Sequence, residues 1–71
     1  MLPLIYADKG NTVEILKVGG SAEVKKRLED LGFTPGEHVV VVSEAQGNLI
    51  VNIRDTRIAL NQAIAGKIMV C

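Results

Sequence analysis

Aromatic side chains are almost absent from this 71-residue chain: Phe33 and Tyr6 are the whole complement, and there is no Trp. The shortage counts against two common uses of small β modules. Proline-rich peptides dock in aromatic-lined grooves, and single-stranded nucleic acids stack their bases on aromatic platforms. An excess of one charge is also lacking, since eight Lys and Arg balance eight Asp and Glu. A polyanion grip needs clustered cations that release counterions, so no nucleic-acid partner is expected. Cys71 is the one cysteine; with no intramolecular disulfide to make, it points to a reducing compartment. No apolar run approaches the roughly 20 residues that cross a bilayer. The N-terminus also lacks the basic, apolar and small-residue order of a signal peptide. Together these absences predict a cytoplasmic protein with no direct membrane insertion.

The length predicts a single domain over residues 1–71. A core this small leaves a surplus of only about 3–5 kcal/mol, which gives little room for a deep catalytic cleft. What the chain does have is apolar bulk: 48% of its residues are hydrophobic, with nine Val and seven Ile among them. β-Branched side chains pack well on a pleated surface, so the bias favours sheet over helix.

Met1 to Lys9 reads as a short extended lead-in, followed by a turn at Asp8-Lys9-Gly10-Asn11. Thr12 to Val18 alternates through Val13 and Ile15, then shifts phase at Leu16 and Val18, as in a half-buried strand that bends. Gly19-Gly20-Ser21 breaks it. Ser21 or Gly20 then caps a helix running to about Leu31, with Glu23 in its first turn. Val24, Leu28 and Leu31 form its stripe, Gly32 supplies the left-handed stop, and Phe33 folds back on the last turn. Val39-Val40-Val41-Val42 carries no polar residue on either side of the pleat, so Glu37 to Glu44 is expected to be covered on both faces. Gln46-Gly47-Asn48 turns into Leu49 to Ile53, and Arg54-Asp55-Thr56 turns into Arg57 to Leu60. Asn61 caps one helical turn, Gln62 to Ala65, and Lys67 to Cys71 closes the chain.

The sum predicts a mainly β fold: a small five-stranded SH3-like barrel with one helix between strands 1 and 2 and a helical turn before the last strand. An OB-fold is the nearest rival, but it usually places its helix between the third and fourth strands, where this chain has only Arg54-Asp55-Thr56.

Few residues suggest chemistry. His38 has no second His or thiol at ligand spacing, and a catalytic base needs a positioned partner; it reads as a strand-edge imidazole. Cys71 reads as a terminal, inert thiol, and a site joining His38, Cys71 and a carboxylate would have to be assembled by the fold. Gly19-Gly20-Ser21 precedes a helix without the Walker or dinucleotide pattern and reads as a structural break. Lys25-Lys26-Arg27 is interleaved with Glu23, Glu29 and Asp30, which describes a solvated face. No nucleophile and base pair suggests an enzyme.

The order of signals nevertheless resembles one family. Gly20, Lys26-Arg27-Leu28 leading to Leu31-Gly32-Phe33 and Pro35-Gly36, a Val-rich strand, Arg57-Ile58-Ala59-Leu60, and a helical turn ending at Ala65 before Ile68-Met69-Val70 are similar to the FeoA family. The likeness spans about Thr12 to Val70. One departure lies at the start, where Leu4 to Gly10 replaces the Leu-x-x-Gly-Pro-Gly-like turn of many relatives. The resemblance implies an SH3-like barrel that is an accessory of ferrous iron uptake, contacting the cytoplasmic GTP-binding region of the FeoB-type membrane transporter and modulating it. The same barrel ends the iron-dependent repressors, which gives a metal-responsive regulatory domain as the alternative. No cofactor is implied beyond weak divalent transition-metal binding, for which no ligand set is evident.

For a partner the sequence suggests a surface. The stripe Val24, Leu28 and Leu31, with Phe33, is expected to cover the outer face of the valine strand and leave an apolar groove beside the edge formed by Arg57, Ile58 and Leu60. Arg57 should face solvent, while Leu28 and Leu31 have an ordinary core reading beside the docking one. Spare apolar surface on the valine strand also predicts some self-association as a homo-oligomer.

Overall fold

The computed structural model describes residues 1–71, and its helix α1 (Ala22–Asp30) is tied at both ends. Ser21 is extended, and its Oγ accepts from the Val24 N–H at 3.2 Å, satisfying one of the donors a helix start leaves orphaned. At the other end Gly32 takes φ +104°; its N–H donates to the Glu29 carbonyl and the Phe33 N–H to the Leu28 carbonyl, both at 2.9 Å. This paired closure ends the helix and turns Phe33 inward. Ser21→Ala should lower the stability by about 1 kcal/mol, read as a lower urea midpoint at unchanged slope; an unmoved midpoint would show that water replaces the cap.

Around α1 the chain forms strands β1 (Leu2–Pro3), β2 (Thr12–Val18), β3 (His38–Ala45), β4 (Asn48–Ile53), β5 (Thr56–Asn61) and β6 (Ile68–Val70). A 3-10 turn (Leu4–Tyr6) follows β1, and the one-turn helix α2 (Gln62–Ala65) precedes β6, its Ile64 N–H bonded to the Asn61 side chain at 2.9 Å. All pairings are antiparallel, in the order β1-β6-β2-β3-β4-β5. Two-residue turns join β3 to β4 and β4 to β5, with positive φ at Gln46 and Gly47 and at Arg54 and Asp55. Such left-handed pairs match the twist of the strands they connect.

The expected five-stranded closed barrel is corrected on both counts. The lead-in is a sixth strand, Leu2 and Pro3 pairing with Val70 and Met69. The sheet is also open, because β5 and β1 are its two free edges and share no ladder. Side chains occupy the seam instead: α2 packs on β5, β4 and the 3-10 turn, and that turn packs on β6. Leu4 and Ala65, both fully buried, fill the gap that a closing ladder would have taken.

The valine strand is corrected as well. Val39 and Val41 are buried, Val40 is half-buried and Val42 is exposed, so β3 has one face in the core and one toward solvent. A bulge between Val41 and Ser43 leaves Val42 as the extra residue. The core is a cluster of 13 apolar side chains from the 3-10 turn, α1, the loop after it, α2 and every strand but β1, with Phe33 its largest member.

Candidate functional site

The structure separates the seven side chains that the sequence groups as a partner surface. Leu28, Phe33 and Leu60 lie in the core, at 2%, 0% and 4% exposure, and only a rearranged protein would offer them to a partner. Val24 and Ile58 are half-buried and pack against that core. Leu31 and Arg57 are exposed. The stripe of α1 faces the interior and does not cover the outer face of β3, since Leu28 and Phe33 share one cluster with the inward-facing Val39 and Val41.

The two exposed residues flank a joint between α1 and the β4–β5 turn. Arg54 leaves that turn and extends over Gly32, where an added Cβ would lie 3.4 Å from the Arg54 Cδ. Its Nε then donates to both carboxylate oxygens of Glu37, at 3.2 and 3.3 Å. An exposed ion pair of this kind contributes at most about 1 kcal/mol, but it orients the turn that leads into Arg57 and β5.

The groove in the molecule lies elsewhere, between β2 and α1, with a volume of about 240 Å³. Leu16 is its key residue. The register between β2 and β6 shifts between Ile15 and Lys17, so Leu16 is the additional residue of a bulge, turned out of the core at 38% exposure while Ile15 stays inside. Leu16, Val18 and Pro35 give the groove apolar walls, and the buried Phe33 ring supports its floor. Lys17 from β2 and Lys25 from α1 stand on its rim with Glu29, a net charge of one positive unit. The phase shift at Leu16 was the signal in the sequence; it marked a bend without revealing that the bend opens a groove.

Catalytic and metal chemistry find no comparable arrangement. His38, Glu14 and Cys71 form a row across β3, β2 and the residue after β6: Glu14 pairs with His38, and Glu14 and Cys71 exchange backbone hydrogen bonds at 2.9 and 3.0 Å. The row spans two strand separations, about 10 Å, whereas zinc-ligand bonds are about 2.0–2.3 Å. That is a backbone spacing, and the side chains themselves do not converge: no three His, Cys, Asp or Glu side chains gather as a metal site. No helix is long and apolar enough to cross a membrane.

Comparison with known proteins gives this architecture its context. The chain is 30% identical to a Methanocaldococcus jannaschii protein assigned as an Fe(2+) transport protein A, over 99% of this chain and 85% of the relative. It superposes on the zinc-complexed FeoA of Stenotrophomonas maltophilia, described as a prokaryotic SH3 domain protein, with a TM-score of 0.87 at 25% identity, covering 100% of this chain and 91% of that one. The manganese-activated repressor ScaR, in its apo form, gives a TM-score of 0.85 at 21% identity, covering 97% of this chain and 34% of the repressor; that likeness extends to the fold alone. The FeoA domain family matches residues 2–71. An SH3-like topology with an open seam and a match over nearly every residue agree: this chain belongs to the FeoA family, whose members are non-catalytic accessory proteins of ferrous iron transport that generally function with FeoB transporters.

Proposed function

We propose that this protein docks on the cytoplasmic GTP-binding region of a FeoB-type membrane transporter and modulates it. The observation that carries the reading is the groove between β2 and α1, where a bulge exposes Leu16 beside Val18 and Pro35. An apolar floor inside a charged rim is the anatomy of a protein contact, and the lysines at positions 17 and 25 favour a partner segment that joins an apolar side chain to a carboxylate. Leu31 and Arg57 are exposed outside the groove and offer separate points of contact to the same partner. Modulation then acts through binding, because the protein brings no catalytic group to its partner.

The test is titration of the full chain against the transporter's soluble GTP-binding domain by calorimetry. Leu16→Asp should weaken binding about tenfold or more, as removal of a central apolar contact does, and Arg57→Glu a few fold, with thermal unfolding unchanged in both. If both variants bind like the unsubstituted protein, the groove reading is wrong; if the unsubstituted protein does not bind, the partner is wrong.

A further inference from the structure

The two edges of the sheet are treated differently. β1 is two residues long and one of them is Pro3, which has no N–H to offer. β5 is six residues long, without proline or bulge, and pairs only with β4. Short edges and prolines are how proteins blunt unwanted strand pairing. β5 carries neither device and has only the charge of Arg57 along its edge.

The register shows which backbone groups are free. The two-residue turn closes on Ile53 opposite Thr56, a hydrogen-bonded pair, so Thr56, Ile58 and Leu60 bond to β4 and the alternate residues Arg57 and Ala59 turn their N–H and carbonyl groups outward. No turn, loop or cap hydrogen bond uses these four groups.

We propose that β5 pairs antiparallel with β5 of a second copy of this chain about a two-fold axis through Ile58. The occupant follows from the way the strand complements itself. In this register Arg57 faces Ala59 of the partner subunit, Ala59 faces Arg57 of the partner subunit, and Ile58 faces its own counterpart. Each of the eight free backbone groups of the two edges then finds a partner, giving four hydrogen bonds. The half-buried Ile58 side chains meet across the axis, and the small Ala59 leaves room for the guanidinium opposite. A register shifted by two residues one way sets Arg57 against Arg57; shifted the other way it sets Ile58 opposite the buried Leu60 of the partner subunit and loses the Ile58 contact across the axis. Strand pairing alone buries less than the roughly 1,000 Å² of a stable interface, so the dimer is weak and depends on concentration. The pairing needs nothing from the transporter, and its failure would leave the proposed docking untouched.

Sedimentation equilibrium of the full chain over a range from micromolar to millimolar tests it. The unsubstituted protein should pass from monomer to dimer. Ala59→Pro removes an outward N–H without touching the β4 ladder and should abolish the dimer, while amide spectra show the fold intact. Ala59→Glu should tighten the dimer about fivefold by placing a carboxylate opposite each Arg57, and Ala59→Arg should weaken it. A monomer at every concentration overturns the proposal, as does a dimer that ignores all three substitutions. Loss of fold in the proline variant leaves the opposite responses to Glu and Arg to decide.

Discussion

Phe33→Ala should leave no cooperatively folded protein at 25 °C, seen as collapsed amide dispersion and a featureless urea profile. Phe33 is fully buried and is the largest side chain of the 13-residue core. Its backbone also closes α1, through the bond from its N–H to the Leu28 carbonyl. Truncating a buried phenylalanine costs about 3–5 kcal/mol through lost transfer energy and the cavity left behind. A domain of this size has about the same amount in hand, with no disulfide to hold the chain while the core empties. A cooperative transition only about 1 kcal/mol lower would show instead that neighbouring strands collapse into the void. Because Phe33 also supports the groove floor, such a survivor should bind the transporter domain poorly.

How much of this was legible in the sequence depends on how local the signal is. The bounds of α1 were readable because Ser21 and the Gly32-Phe33 pair act within one turn of the helix they end, and the caps are where they were expected. β2 was readable from its alternation, with the phase shift marking the bulge at Leu16. The strand β1 was missed because two residues cannot display a period; Leu2 and Pro3 become a strand only through Val70 and Met69, at the far end of the chain. For the same reason an open sheet could not be told from a closed barrel, since the seam is decided by the packing of α2 and the 3-10 turn. The valine run misled because a bulge puts Val42 outside, and a bulge is a property of the register between two strands. On α1 the stripe showed which face is apolar but not what covers it, so Leu28 and Leu31 looked alike although one is core and the other exposed. The outward backbone of Arg57 and Ala59 has no side-chain signature at all.

Gly32→Val should cost about 2–3 kcal/mol, from two separable causes. At φ +104° any side chain is strained, which contributes about 1–3 kcal/mol. The second cause is contact: a Cβ at Gly32 just touches the Arg54 Cδ at 3.4 Å, and the branched methyls of valine reach further, pushing Arg54 from its bond to Glu37. Gly36 supplies the comparison, with φ +92° and nothing within 4 Å of the added Cβ. Gly36→Val should therefore show the strain alone and be milder by about 1 kcal/mol, the scale of an exposed pair with its packing. In an Arg54→Ala background the two valine variants should become equal, because the contact that distinguishes them is gone. Urea midpoints of the unsubstituted protein and the five variants check this. If Gly32→Val stays worse after Arg54 is removed, the excess belongs to the end of α1 itself, and the joint between that helix and the β4–β5 turn would contribute nothing to holding β5 in place.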